Sequence, residues 1–105
     1  MPFTEQEWKL VQEKKEPVLV VIHADWCPVC KTQEKILDSY FQTYPQSKLK
    51  RLMVNYDTQK EWVKHFKAPR QSTLYIYKGE ERLWFAVAET NKDKIFEALK
   101  KAEGI

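Results

Sequence analysis

The apolar residues of this chain alternate between helical and strand-like spacing. Thr4-x-x-Glu7 is a capping box, in which a hydroxyl and a carboxylate three residues apart satisfy the free N–H groups of a first helical turn. Trp8, Leu10 and Val11 follow it, so residues 4–15 read as a helix that Pro17 ends. Val18-Leu19-Val20-Val21-Ile22 is a continuous, β-branched-rich run, the pattern of a strand buried on both faces. Pro28 suits the first position of a second helix, where its missing N–H is not needed. Val29, Ile36, Leu37, Tyr40, Phe41 and Tyr44 carry that helix to Tyr44-Pro45. Leu49 to Asn55 reads as a second strand. Thr58-x-x-Glu61 reads as another capping box, opening a short helix with Trp62, Val63 and Phe66. Thr73 to Tyr77 and Arg82 to Ala88 flank a turn containing Gly79, which predicts a hairpin. Thr90 or Asn91 caps a last helix bearing Ile95, Phe96, Leu99 and Ala102, and Gly104 stops it.

The order is α-β-α-β-α-β-β-α. Two strands joined by a long helix should run parallel through a right-handed crossover. Two strands joined by a short turn should run antiparallel. The expected fold class is therefore α/β, a mixed four-stranded sheet with helices on both faces, formed as one domain over residues 1–105. The expected core is Val18, Val20, Ile22, Ile36, Leu37, Leu52, Val54, Leu74, Ile76, Phe96 and Leu99.

Composition narrows the chemistry. Apolar residues make up 43% and charged residues 31%, an ordinary globular balance. Only two glycines occur, which excludes a glycine-rich phosphate loop, and two cysteines are too few for a disulfide-stapled mini-domain. The net charge of +3 is concentrated in residues 48–70, where seven Lys/Arg face only Asp57 and Glu61. This segment reads as a solvated face or as a docking surface for an acidic partner. Scattered lysines without a recognition motif argue against nucleic acid as a partner. No apolar run is long enough to span a membrane, and Met1-Pro2-Phe3-Thr4 does not open like a signal peptide. The expectation is a cytoplasmic monomer, in a compartment where a lone Cys pair is catalytic or metal-binding rather than structural.

The chemical signal is Asp25-Trp26-Cys27-Pro28-Val29-Cys30-Lys31, placed after the buried strand and opening a helix. A helix N-terminus presents free N–H groups and partial positive charge, which favour thiolate over thiol. The sulfur at the start of the first turn gains most, which nominates Cys27 as nucleophile. Cys30 lies about one turn on, on the same side, and can attack a mixed disulfide at Cys27.

This pattern resembles the thioredoxin family, from Thr4 through Lys101, in element order and in the Trp-Cys-x-x-Cys-Lys motif. The resemblance implies a thioredoxin fold in minimal form, without the extra N-terminal strand common in that family, since only three residues precede the first helix. It implies exchange between the Cys27–Cys30 dithiol/disulfide and protein disulfides, with a reductase or other thiol as electron donor and no cofactor. Trp26 would shield the disulfide and contact substrate, as would the Gln71-Ser72 segment.

The chain departs from the family pattern in ways that bear on chemistry. Ser72 stands where the family has its cis-proline. A cis bond before serine would cost about 2.5–4 kcal/mol, so a trans bond or visible strain is expected, with a small polar group beside the sulfurs. The family's buried acid aligns with Val21 and the accompanying lysine with Met53, leaving His23 as a candidate for proton transfer. Pro28-Val29 replaces Gly-Pro between the cysteines and bears on redox poise. Lys35 replaces the proline that kinks the family's active-site helix, so this helix should be straighter. Ala88 stands where a glycine often follows the last strand.

Two other classes compete. One is a non-catalytic interaction module on the same fold. The other is a metal or iron–sulfur site. Cys27, Cys30 and His23 are soft ligands, but a second ligand pair is wanting, so such a site would have to be shared between two chains.

Overall fold

The apolar run at Val18 becomes β1 (Pro17–His23), the strand on which the rest of the molecule is assembled; the computed structural model describes residues 1–105. The other elements are α1 (Glu5–Lys14), α2 (Pro28–Thr43), β2 (Lys50–Asn55), α3 (Lys60–His65), β3 (Thr73–Lys78), β4 (Glu81–Val87) and α4 (Lys92–Glu103). The four-stranded sheet has the order β2-β1-β3-β4. β1 runs parallel to β2 and antiparallel to β3, and β3 runs antiparallel to β4. The mixed sheet and its strand directions are those expected. No helix is long and apolar enough to cross a membrane.

Successive side chains of β1 point to opposite faces, and this splits the core in two. Val18, Val20 and Ile22 pack under α1 and α3 with Leu52, Val54 and Tyr75. Leu19 and Val21 pack under α2 and α4 with Leu37, Tyr40, Ile95 and Leu99. A strand covered on both faces has no use for alternation, which is why residues 18–22 are apolar without a break.

Most of the expected core is fully buried, but Ile36 and Phe96 are half-buried at the margin of the second cluster. Ile95 and Leu99 take the inward stripe of α4, and Phe96 flanks it, edge-on to Tyr40 at 5.2 Å between ring centroids.

The Thr58 capping box does not form. Asn55 Oδ1 accepts from the N–H groups of Asp57 (2.9 Å) and Thr58 (3.0 Å), turning the chain directly after β2. The helix begins only at Lys60, with Gln59 as N-cap and no side-chain capping bond. The Gln59 side chain is committed elsewhere, accepting from Asn55 N–H at 2.9 Å and donating to the Phe3 carbonyl at 3.0 Å. At α1, Thr4 Oγ1 does accept from Glu7 N–H, at 3.1 Å.

The N-terminal segment is short, but it is paired. Phe3 N–H donates to the Met53 carbonyl at 2.8 Å, and Met53 N–H donates to the Met1 carbonyl at 2.9 Å. This single parallel bridge along the β2 edge carries Phe3 into the core, 4.7 Å from the Trp62 ring and 5.7 Å from Phe66.

Candidate active site

β1 delivers the chain to buried Ala24, whose carbonyl accepts from Cys27 N–H at 3.1 Å. Cys27 is the N-cap of α2, with extended backbone. Its Sγ accepts from Cys30 N–H at 3.2 Å, the bond that a serine or aspartate oxygen makes at an ordinary helix start. Pro28 follows at the first helical position, as its fixed φ favours. Cys27 and Cys30 are free thiols, each 2% exposed.

Ser72 closes the site from the opposite side. Its Oγ lies 3.0 Å from Cys27 Sγ and 3.0 Å from Cys30 Sγ, and the residue is fully buried. The chain has no cis peptide bond, so the Gln71–Ser72 bond is trans, and the backbone of Ser72 takes up the departure at φ +64°. That left-handed conformation is disfavoured for a side-chain-bearing residue by roughly 1–2 kcal/mol. Hydrogen bonds hold it there. Ser72 N–H donates to the Ile22 carbonyl at 2.8 Å, and the Ser72 carbonyl accepts from Ala88 N–H at 2.8 Å and from Gln33 Nε2 at 3.1 Å. Ala88 is itself left-handed, at φ +55°.

The thioredoxin family model matches residues 1–101. The chain belongs to the thioredoxin family. It is 29% identical over 91 residues to Thioredoxin 1 of Nostoc sp., covering 87% of this chain and 84% of that one. The thioredoxin of Synechocystis sp. is similar to the same extent. Among solved structures, that of Trxlp from Edwardsiella tarda superimposes with a TM-score of 0.85 at 35% identity, over 91% of this chain and 93% of that one. Thioredoxin from Trypanosoma brucei brucei shares the fold, with a TM-score of 0.79 at 17% identity, over 98% and 88% of the two chains. Family, fold and two neighbouring cysteines together make this thioredoxin-family protein a thiol–disulfide oxidoreductase at the level of class.

Within this thioredoxin-family site the two thiols are driven apart. Burial acts to raise the Cys27 thiol, but hydrogen bonds from the Cys30 side chain, Ser72, the Cys30 backbone and Gln71 outweigh it and bring it down to about 7. Burial raises Cys30, and its hydrogen bond to Cys27 raises it further. The two shifts have opposite signs, Cys27 downward and Cys30 upward.

Trp26 is 58% exposed beside the sulfurs in sequence, with its indole N–H donating to Asp57 Oδ2 at 2.9 Å. His23 Nε2 faces Asp25 Oδ1 at 3.3 Å, and its Nδ1 is buried without a hydrogen-bond partner. The polar group in contact with both sulfurs is the Ser72 hydroxyl. Val21 is buried in the apolar cluster beneath α2, and α2 runs unbroken from Pro28 to Thr43 with Lys35 in its sequence. The basic segment is partly neutralised, since Lys50 pairs with Glu7 at 3.1 Å and Arg51 with Asp38 at 2.8 Å.

Gln33 is the site residue that the sequence reading passes over. Fully buried, it bonds the carbonyls of Ser72 and Glu89. The signal was a polar residue on the stripe of Cys30, Leu37 and Tyr40, three positions after Cys30.

Proposed function

We propose that this protein exchanges its Cys27–Cys30 dithiol/disulfide with the disulfides of protein substrates, and that a reductase or another thiol returns it to the starting form. The observation that carries this reading is the asymmetry of the pair. Cys27 Sγ caps the helix and is brought down to about 7, while Cys30 is raised. A thiolate with a pKa near ambient pH combines a useful ionised fraction with good nucleophilicity. Cys27 attacks and Cys30 resolves. Trp26, exposed beside the pair, and half-buried Gln71, opposite it, form the surface that meets the substrate, with Ser72 buried behind them. His23 is held against Asp25, which leaves Ser72 as the polar side chain at the sulfurs. The compartment that suits this chemistry is the cytoplasm, where a lone cysteine pair is catalytic rather than structural, with the protein acting as a monomer.

The test is reduction of a protein disulfide such as that of insulin, by the native protein and by Cys27→Ser. Turnover should vanish in the variant, and Cys30→Ser should accumulate a mixed disulfide at Cys27. Equal rates for native protein and Cys27→Ser would sink the reading. Stoichiometric metal retained through dialysis of anaerobically purified protein would instead favour a shared metal site.

A further inference from the structure

The geometry points to the Ser72 hydroxyl as the catalytic hydrogen-bond donor of this site, serving the Cys27 thiolate in the resting dithiol and the Cys30 thiolate once a mixed disulfide has formed. The inference rests on the disulfide-exchange reading and extends it to a residue that the resemblance implies only as a substrate contact.

The first support is placement. Ser72 Oγ is 3.0 Å from each sulfur, in a position sealed from solvent. A hydroxyl carries one proton and two lone pairs, so it can donate to one sulfur while accepting from the other. With Cys27 ionised, its Sγ accepts from both the Cys30 S–H and the Ser72 O–H. No backbone group competes for the hydroxyl, because Ser72 N–H and C=O are already engaged by Ile22, Ala88 and Gln33. Those same bonds fix the Cα and leave rotation about Cα–Cβ as the hydroxyl's one freedom.

The second support is what surrounds the pair. The position that aligns with the family's buried acid is Val21, 4% exposed in an apolar cluster. A thiolate formed at buried Cys30 needs donors: the Ala24 backbone supplies one, and the Ser72 hydroxyl at 3.0 Å is the side-chain donor in contact.

The exchange then balances as follows. Cys27 Sγ⁻ attacks one sulfur of the substrate disulfide, forming the mixed disulfide and expelling the other substrate sulfur as a thiolate. That thiolate takes the Cys30 proton and leaves as a thiol. Cys27 no longer bears charge, so the Ser72 O–H turns to the new Cys30 thiolate. Cys30 Sγ⁻ attacks Cys27 Sγ, the mixed disulfide breaks, and the second substrate sulfur leaves with the electron pair. The substrate is reduced, the Cys27–Cys30 pair is oxidised, and the hydroxyl keeps its proton throughout. A bond to a thiolate is charge-assisted and is lost when the sulfurs join, so the hydroxyl also favours the reduced form.

The test uses Ser72→Ala and Ser72→Gly. Both delete the hydroxyl, and glycine accepts φ +64° without strain, so a backbone effect would separate the two. Cys27 is titrated by its ultraviolet thiolate absorbance against a Cys27→Ser baseline. Both variants should titrate higher by about one unit, a tenfold loss of thiolate stabilisation. At about pH 9, where the native thiolate dominates, that tenfold loss makes the pair about 30 mV more reducing. A shift below about half a unit in both variants, or a shift confined to one, overturns the proposal. The titration needs no turnover. The proposal can therefore fail while insulin reduction persists, and a full shift in a protein that reduces no disulfide would fault the exchange reading instead.

Discussion

Gln33 Nε2 donates to the Ser72 carbonyl at 3.1 Å, so a side chain on the active-site helix holds the strained residue that faces the cysteines. The same nitrogen donates to the Glu89 carbonyl at 3.0 Å, tying the segment after β4 to the same point. Gln33 is fully buried, and its Oε1 finds no partner. Gln33→Leu takes the side-chain donor from the Glu89 carbonyl and one of two donors from the Ser72 carbonyl, which keeps Ala88 N–H, while removing the orphaned oxygen. The net expectation is a loss of about 1–3 kcal/mol, read from the denaturant midpoint. An unchanged midpoint would show that the bond does not support the Ser72 backbone.

Cys27 reactivity should follow its ionisation. The folded thiol lies at about 7, below its ordinary value of 9.0, so alkylation by iodoacetamide should reach half its maximal rate near that pH. A depressed acid contributes stability that is fully present above the unfolded pKa and is lost as pH falls through the folded one. Relative to Cys27→Ser, the reduced protein should therefore gain stability from about pH 7 to pH 9, by at most on the order of 2–3 kcal/mol. Cys30 is shifted upward and acts oppositely, withdrawing stability above the ordinary thiol pKa. Urea titrations of the Cys27→Ser comparison from about pH 6 to pH 9, and of a Cys30→Ser comparison above about pH 9, check the two signs.

Ala88 sits at φ +55°, where glycine is free of the Cβ clash. Ala88→Gly removes a strain of roughly 1–2 kcal/mol but adds freedom to the unfolded chain worth about 0.5–1 kcal/mol. A net gain of about 0.5–1 kcal/mol is expected, as a higher denaturant midpoint at unchanged slope. A loss of stability would mean that the alanine methyl packs more favourably than its backbone is strained.

Phe3 is 2% exposed and lies against Trp62 and Phe66 although it precedes every named element. Phe3→Ala should cost about 3–5 kcal/mol, as for an aromatic removed from a core. Calorimetry would detect this as a large fall in melting temperature, whereas a free N-terminal tail would leave it unchanged.

The elements and their order are legible in the amino-acid sequence, because these depend on spacing and local chemistry. The unbroken apolar run of residues 18–22 required a strand covered on both faces, and Thr4 and Asn91 cap their helices through bonds within one turn. The cysteine pair was legible for the same reason, since Cys27 and Cys30 meet through a helix start that Pro28 announces. Tertiary structure decided everything that depends on residues distant in the chain. Thr58 reads locally as a cap, but Asn55 captures its N–H while Gln59 is drawn to Phe3. Phe3 lies outside every element the sequence predicts, but the free edge of β2 binds it. Above all, the contact of Ser72 with both sulfurs spans more than forty residues of chain. It is set by the bonds of Ser72 to Ile22, Ala88 and Gln33, which no local periodicity encodes.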